Sequence, residues 1–101
     1  MTNEEYEAAL RSKRRRLILL FLQASVDEKC SEQILLTLVS NALVRITEER
    51  LRSDLDDLQQ MDLIATEMVG GVMFAILRKK GHDVAEGIRV VPGIDKPDRR
   101  S

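Results

Sequence analysis

In this 101-residue chain the side chains with most to offer chemically are its arginines and one histidine. Arg14, Arg15 and Arg16 stand directly before an apolar run at residues 17–22, with Arg11 and Lys13 just upstream. This is the densest positive patch of the sequence, and clustered guanidinium groups suit phosphate oxygens. A solvated helix face pairing with Glu4, Glu5 and Glu7 fits the same residues. A second group is Arg45, Arg50 and Arg52, interleaved with Thr47 and Ser53, which together can grip phosphates or a guanine edge. Between Arg45 and Asp62 three arginines meet six acids, a net −3 that is poor for a phosphate surface. The acids fall mostly in the later turns, so the start of this segment is its usable end.

Enzyme chemistry is excluded by what is missing. His82 is the sole histidine, it adjoins Asp83, and no serine or cysteine near it makes a nucleophile motif. Cys30 is the sole thiol, so neither an intrachain disulfide nor a cysteine-rich metal site can form, which fits a reducing, cytoplasmic setting. Gly70-Gly71 lacks the lysine and following helix of a phosphate-cradling loop. No catalytic residue, metal, cofactor or small-molecule ligand is expected. Sixteen Lys and Arg against seventeen Asp and Glu leave a net charge of −1, so nucleic-acid binding must come from a local patch. With aromatics at 3% and no Trp, stacking platforms for single strands are nearly absent.

The chain length supports one core. The arginines and the six apolar residues after them mimic a secretory signal, but acids precede them and the run is too short for a signal or a span. Thr2 with Glu5 is a capping box that opens a helix near residue 3, with Tyr6, Leu10, Leu17, Phe21 and Ala24 on one stripe and residues 17–22 buried all round. Residues 26–30 are polar and connective. Ser31 caps a second helix to about Leu43, turning Ile34, Leu35, Leu38 and Leu43 inward. Thr47 caps a third to about Gln60, with Leu51, Leu55 and Leu58 inward. Glu49, Ser53, Asp56 and Gln60 then face out, flanked by Arg50, Arg52 and Asp57.

Residues 63–69 and 72–77 are strand-forming runs separated by Gly70-Gly71, a two-residue hairpin signal. That turn pairs Val69 with Val72, Glu67 with Phe74 and Ala65 with Ile76, and puts Leu77 on the opposite face. Residues 82–86 predict one or two helical turns ended by Gly87. The expected domain spans residues 1–87, and residues 88–101 form an extended, partly flexible tail carrying a weaker basic patch at Lys96, Arg99 and Arg100.

Three helices followed by a glycine-tipped hairpin is the order of a winged helix-turn-helix: mainly α, with a three-helix core, a two-stranded wing and a short C-terminal helix. The stretch from Leu51 through Asp62-Leu63-Ile64, the hairpin and Leu77-Arg78-Lys79-Lys80-Gly81 resembles the core of MarR-like and ArsR-like winged-helix regulators. Over about residues 10–97 the chain is also similar to small winged-helix proteins of Mu-like transposable phages and prophages. The likeness lies in the hairpin, in Gly81-His82-Asp83-Val84-Ala85 and in Val91-Pro92-Gly93-Ile94-Asp95-Lys96-Pro97. The resemblance implies that Leu77 is a core position, leaving Val69, Val72, Phe74 and Ile76 as a partly exposed interface for a homodimer or a partner. It also implies a phage-type transcriptional regulator in the bacterial cytoplasm. Such a protein binds duplex DNA as a dimer through Arg45, Thr47, Arg50, Arg52 and Ser53, with Arg14, Arg15 and Arg16 on the backbone. The competing reading is a winged helix used for contacts with a phage protein, as an accessory in assembly or packaging. No membrane contact is expected.

Overall fold

Three helices start at the hydroxyl caps that the sequence places. In the computed structural model, which describes residues 1–97, the Thr2, Ser31 and Thr47 side chains accept from the backbone N–H groups of Glu5, Ile34 and Arg50 at 3.1, 3.2 and 3.1 Å. They open α1 (Asn3–Ala24), α2 (Glu32–Ala42) and α3 (Glu48–Gln60). Each cap satisfies a donor that the first turn leaves without a helical partner. Two strands follow, β2 (Ile64–Val69) and β3 (Val72–Leu77), then α4 (Lys79–Glu86), which starts earlier than the glycine suggested and ends on Gly87 in the left-handed region. Arg99 and Arg100 lie outside the described residues.

Among the described residues the result is a mixed α/β domain with four helices and a three-stranded antiparallel sheet, rather than a bare two-stranded hairpin. The additional strand, β1 (Lys29–Ser31), comes from the segment read as connective, and pairs Lys29 with Ile76, Cys30 with Ala75 and Ser31 with Phe74. The strand order is β1-β3-β2. Strand β1 follows a single 3₁₀ turn, Val26–Glu28, in which Asp27 and Glu28 take positive φ. Three residues are too few to display an alternating pattern. The open edge of β3 supplies the hydrogen-bond partners, and Cys30 supplies a small side chain for the core.

The core joins Ile18, Leu19 and Leu22 of α1, Leu35 and Val39 of α2, and Leu51, Leu55 and Leu58 of α3 to Ile64, Ala75 and Leu77 of the sheet. The leucine spacing of α3 thus points inward as its periodicity predicts. Helix α1 differs: only Ile18, Leu19 and Leu22 of the apolar run are fully buried, Leu17, Leu20 and Phe21 are half-buried, and Tyr6 is exposed. In α2 the inward row runs through Glu32, Leu35 and Val39, which turns Ile34 to solvent. Beyond α4, Ile94 is buried and Asp95 accepts from Ser12 Oγ and Lys13 Nζ, so this part of the tail packs along α1.

In the hairpin, Val69 pairs with Val72, Glu67 with Phe74 and Ala65 with Ile76, the register a two-residue turn dictates. Ala75 and Leu77 face the helices. On the outer face Lys29 Nζ sits 5.2 Å from the Phe74 ring centroid and 3.1 Å from Glu67 Oε1, shielding the ring. Of the four residues read as an interface, Val69 is exposed whereas Val72, Phe74 and Ile76 are half-buried. Val72→Glu is therefore expected to keep the unfolding free energy within about 1 kcal/mol of the parent, as an outer-face change. Ala75→Glu, which drives a carboxylate into the core, should abolish cooperative thermal unfolding. Circular dichroism melts of the two variants check the assignment of faces.

Candidate nucleic-acid interface

The basic cluster of α1 divides by helical phase, and its members end in different surroundings. Arg14 shares the inward face with Ile18 and Leu22, and its side chain is 3% exposed. Its Nε donates to Asp54 Oδ2 at 2.6 Å and its Nη2 to Asp54 Oδ1 at 3.1 Å, a two-pronged bond to α3. Arg15 Nη2 donates to Asp57 Oδ2 at 2.5 Å, one turn further along the same helix. These two arginines clamp α1 to α3 and are not free for phosphate. Arg16 is half-buried beside Lys13, Leu17, Leu20, Leu43 and Asp95, and its Nη1 is buried with no hydrogen-bond partner among the described residues.

The same bonds change the electrostatics of α3. Asp54 and Asp57, which weigh against a phosphate surface when charges are summed along the sequence, are neutralised by α1. Arg52 is lost as well: its Nε donates to the buried Glu32 at 2.8 Å and its Nη2 lies 3.2 Å from Glu48. The hydrogen bond and charge of Glu32 raise the Arg52 pKa, the direction a guanidinium takes beside carboxylates, while its side chain stays 55% exposed. What remains outward on α3 is Glu49, Arg50, Ser53, Asp56 and Gln60.

Arg45 and Arg50 are exposed, and neither has an ion-pair partner among the described residues. They flank the α2–α3 connection, where the Ile46 N–H donates to Ser40 Oγ at 3.3 Å and Thr47 caps α3. Thr47, Arg50 and Ser53 border one shallow depression with Glu49, and Arg45, Thr47 and Arg50 line a groove against the first turns of α1. The structure thus brings together Arg45, Thr47, Arg50 and Ser53 of the residues chosen from sequence, and engages Arg14, Arg15 and Arg52 in ion pairs with Asp54, Asp57 and Glu32, although Arg14 lines the same groove as Arg45 and Arg50. Asp54 and Glu32, which decide this, carry no local signal, because each partner lies 20 or 40 residues away. The hairpin tip, Gly70-Gly71 with Met68 and Val69 exposed beside it, adds no cation.

Other chemistry finds little purchase. Burial raises the Cys30 thiol pKa, against weaker lowering by the Ser25 side chain and the Ser31 backbone, so the thiolate is disfavoured. His82 Nδ1 lies 3.0 Å from Glu28 and its Nε2 3.6 Å from Glu86, so opposite ring nitrogens face different carboxylates. Among the described residues no three His, Cys, Asp or Glu side chains are grouped to hold a metal, and no helix is long and apolar enough to cross a membrane.

No family model matches the chain, and no solved structure matches it. It is similar to an uncharacterized protein, gp26, of Escherichia phage Mu, at 28% identity over 87 residues that span 86% of this chain and 91% of that protein. Similarity to a phage protein therefore extends along most of the domain.

Proposed function

We propose that the chain is a winged helix of phage or prophage type, related in fold to MarR-like and ArsR-like regulators, that binds duplex DNA in a bacterial host and acts as a transcriptional regulator. The observation that carries this reading is the pairing of β1 with β3 around an α2–α3 unit that displays, in its connection and first α3 turn, Arg45 and Arg50 with no ion-pair partner among the described residues. In such a domain the third helix enters the major groove and the residues at its start meet base edges and phosphates. Arg45 and Arg50 supply the charge, and Thr47 and Ser53 the hydroxyl donors. The likeness to a phage Mu protein supports the lineage.

A second reading has its own support. The tip of the hairpin exposes Met68 at 62% and Val69 at 48% without a cation, a surface suited to a protein partner such as a component of phage assembly or packaging. Salt separates the two readings. Binding through phosphates weakens with a log–log slope near −0.9 per neutralised phosphate, whereas an apolar contact barely responds. In fluorescence-anisotropy titrations against mixed-sequence duplex, Arg45→Ala with Arg50→Ala is expected to weaken affinity and flatten the slope by about 0.9 for each phosphate no longer bound. Arg52→Ala should weaken binding less than that double variant, because Glu32 and Glu48 already engage its guanidinium, with circular dichroism checking that the fold survives the loss of the buried Glu32's partner. Absence of any salt-sensitive binding by the parent protein would give the hairpin-tip reading precedence.

A further inference from the structure

We propose that the groove between the first turns of α1 and the α2–α3 connection is a self-association site: it takes the acidic start of α1 from a second copy of this chain, so that pairing covers Arg45 and Arg50. The consequence for DNA rests on the function proposed above, whereas the pairing itself stands on charge and exposure alone.

Residues 1–9 are all exposed, although α1 begins at Asn3 and is capped by Thr2. These first turns of the 22-residue α1 lie beside the α2–α3 connection, and covering their exposed apolar side chains would remove them from water. Their charged side carries Glu4, Glu5 and Glu7, none of which has an ion-pair partner among the described residues. Tyr6 is 51% exposed next to them, with Leu10 half-buried one turn on. The projecting end is an acidic amphipathic helix.

The groove is its chemical complement. Tyr6, Leu10, Val44 and Ile46 form apolar walls, and Arg45 and Arg50 stand at the rim with no ion-pair partner among the described residues. Glu7 of the same chain also lines it and offsets one of the two charges, and the Asp54 bond already neutralises the Arg14 that reaches it. A positive charge and an apolar floor remain. Because helix and groove sit side by side on one chain, two copies placed antiparallel about a two-fold axis satisfy both at once. Each acidic start then lies in the other's groove, and the charge reversal along α1, from Glu4, Glu5 and Glu7 to Arg11, is self-complementary in the same arrangement. Reciprocity on this pattern favours a second copy over an unrelated acidic partner, which would leave its own counterpart surface unmatched.

A charge swap tests the pairing. Sedimentation equilibrium of the parent should show a dimer that weakens with salt. Glu4→Lys with Glu7→Lys, and separately Arg45→Glu with Arg50→Glu, should each raise the dissociation constant by about tenfold or more, with circular dichroism confirming the fold. Mixing the two variants should restore association between them. A monomeric parent, a dimer indifferent to either variant, or a mixture that fails to associate would overturn the proposal, the second of these pointing to the hairpin face instead. Tyr6→Ser, which leaves charge unchanged, tests coverage of the arginines: it should bind mixed-sequence duplex more tightly than the parent at concentrations where the parent pairs. Equal affinity of the two proteins would overturn that coverage. Lack of duplex binding by both would remove the DNA reading and leave the pairing to be decided by the swap.

Discussion

Arg14→Ala is expected to cost about 3–5 kcal/mol of unfolding free energy, because it strands Asp54 in the core without its counter-ion. Both side chains are 3% exposed, and the pair makes two direct hydrogen bonds, so no water replaces the lost guanidinium without opening the α1–α3 contact. For a domain of this size the loss is a large fraction of total stability. Replacing both partners with apolar residues of similar volume, Arg14→Met with Asp54→Leu, should recover most of it, since burying two charges is itself costly. Urea denaturation of the single and double variants reads both values. A loss below about 1 kcal/mol for Arg14→Ala would show that this guanidinium is more solvated than its surroundings indicate. Arg15→Ala offers the contrast: Asp57 is 42% exposed, so water can take over and the effect should be smaller.

Gly81→Ala is expected to destabilise the domain by about 3 kcal/mol or more, although alanine is favoured over glycine within a helix by about 1 kcal/mol. Gly81 is buried in α4 where the helix packs against Leu63, the residue that precedes β2. A Cβ there would lie 2.1 Å from the Leu63 carbonyl oxygen and 2.8 Å from Leu77 Cδ1. That carbonyl accepts from the Arg78 N–H at 3.0 Å, so it cannot retreat without giving up a bond that sets the β3–α4 corner. Thermal melts decide the sign. A raised midpoint would mean that α4 slides outward at little cost and that helix propensity dominates at this site. Gly70 and Gly71 make the opposite case: a Cβ would meet nothing there, and their positive φ of 57° and 79° alone argues for glycine.

Much of the secondary structure was legible because it depends on neighbours in sequence. Thr2, Ser31 and Thr47 cap helices by bonding three residues on, Leu51, Leu55 and Leu58 share a face through the helical repeat, and Gly70-Gly71 sets the register of the strands beside it. Each is a local rule with a short range, so composition and spacing carry it. The third strand escaped notice because three residues show no period, and the phase of α2, which exposes Ile34 and buries Glu32, escaped because the helix is apolar on several sides.

The candidate site was only half legible for a related reason. Spacing places Arg45, Thr47, Arg50 and Ser53 together at the start of α3, but which arginines remain available there is decided by partners far along the chain. Summed along the sequence, the third helix is acidic and the first is basic. Folding brings Arg14 and Arg15 against Asp54 and Asp57, and Glu32 against Arg52, so both totals cease to describe the surface. Charge composition is a property of the sequence, whereas exposed charge depends on which groups the core forces to neutralise one another. Only the tertiary structure determines that, because a buried ion must find its counter-ion wherever packing has put one.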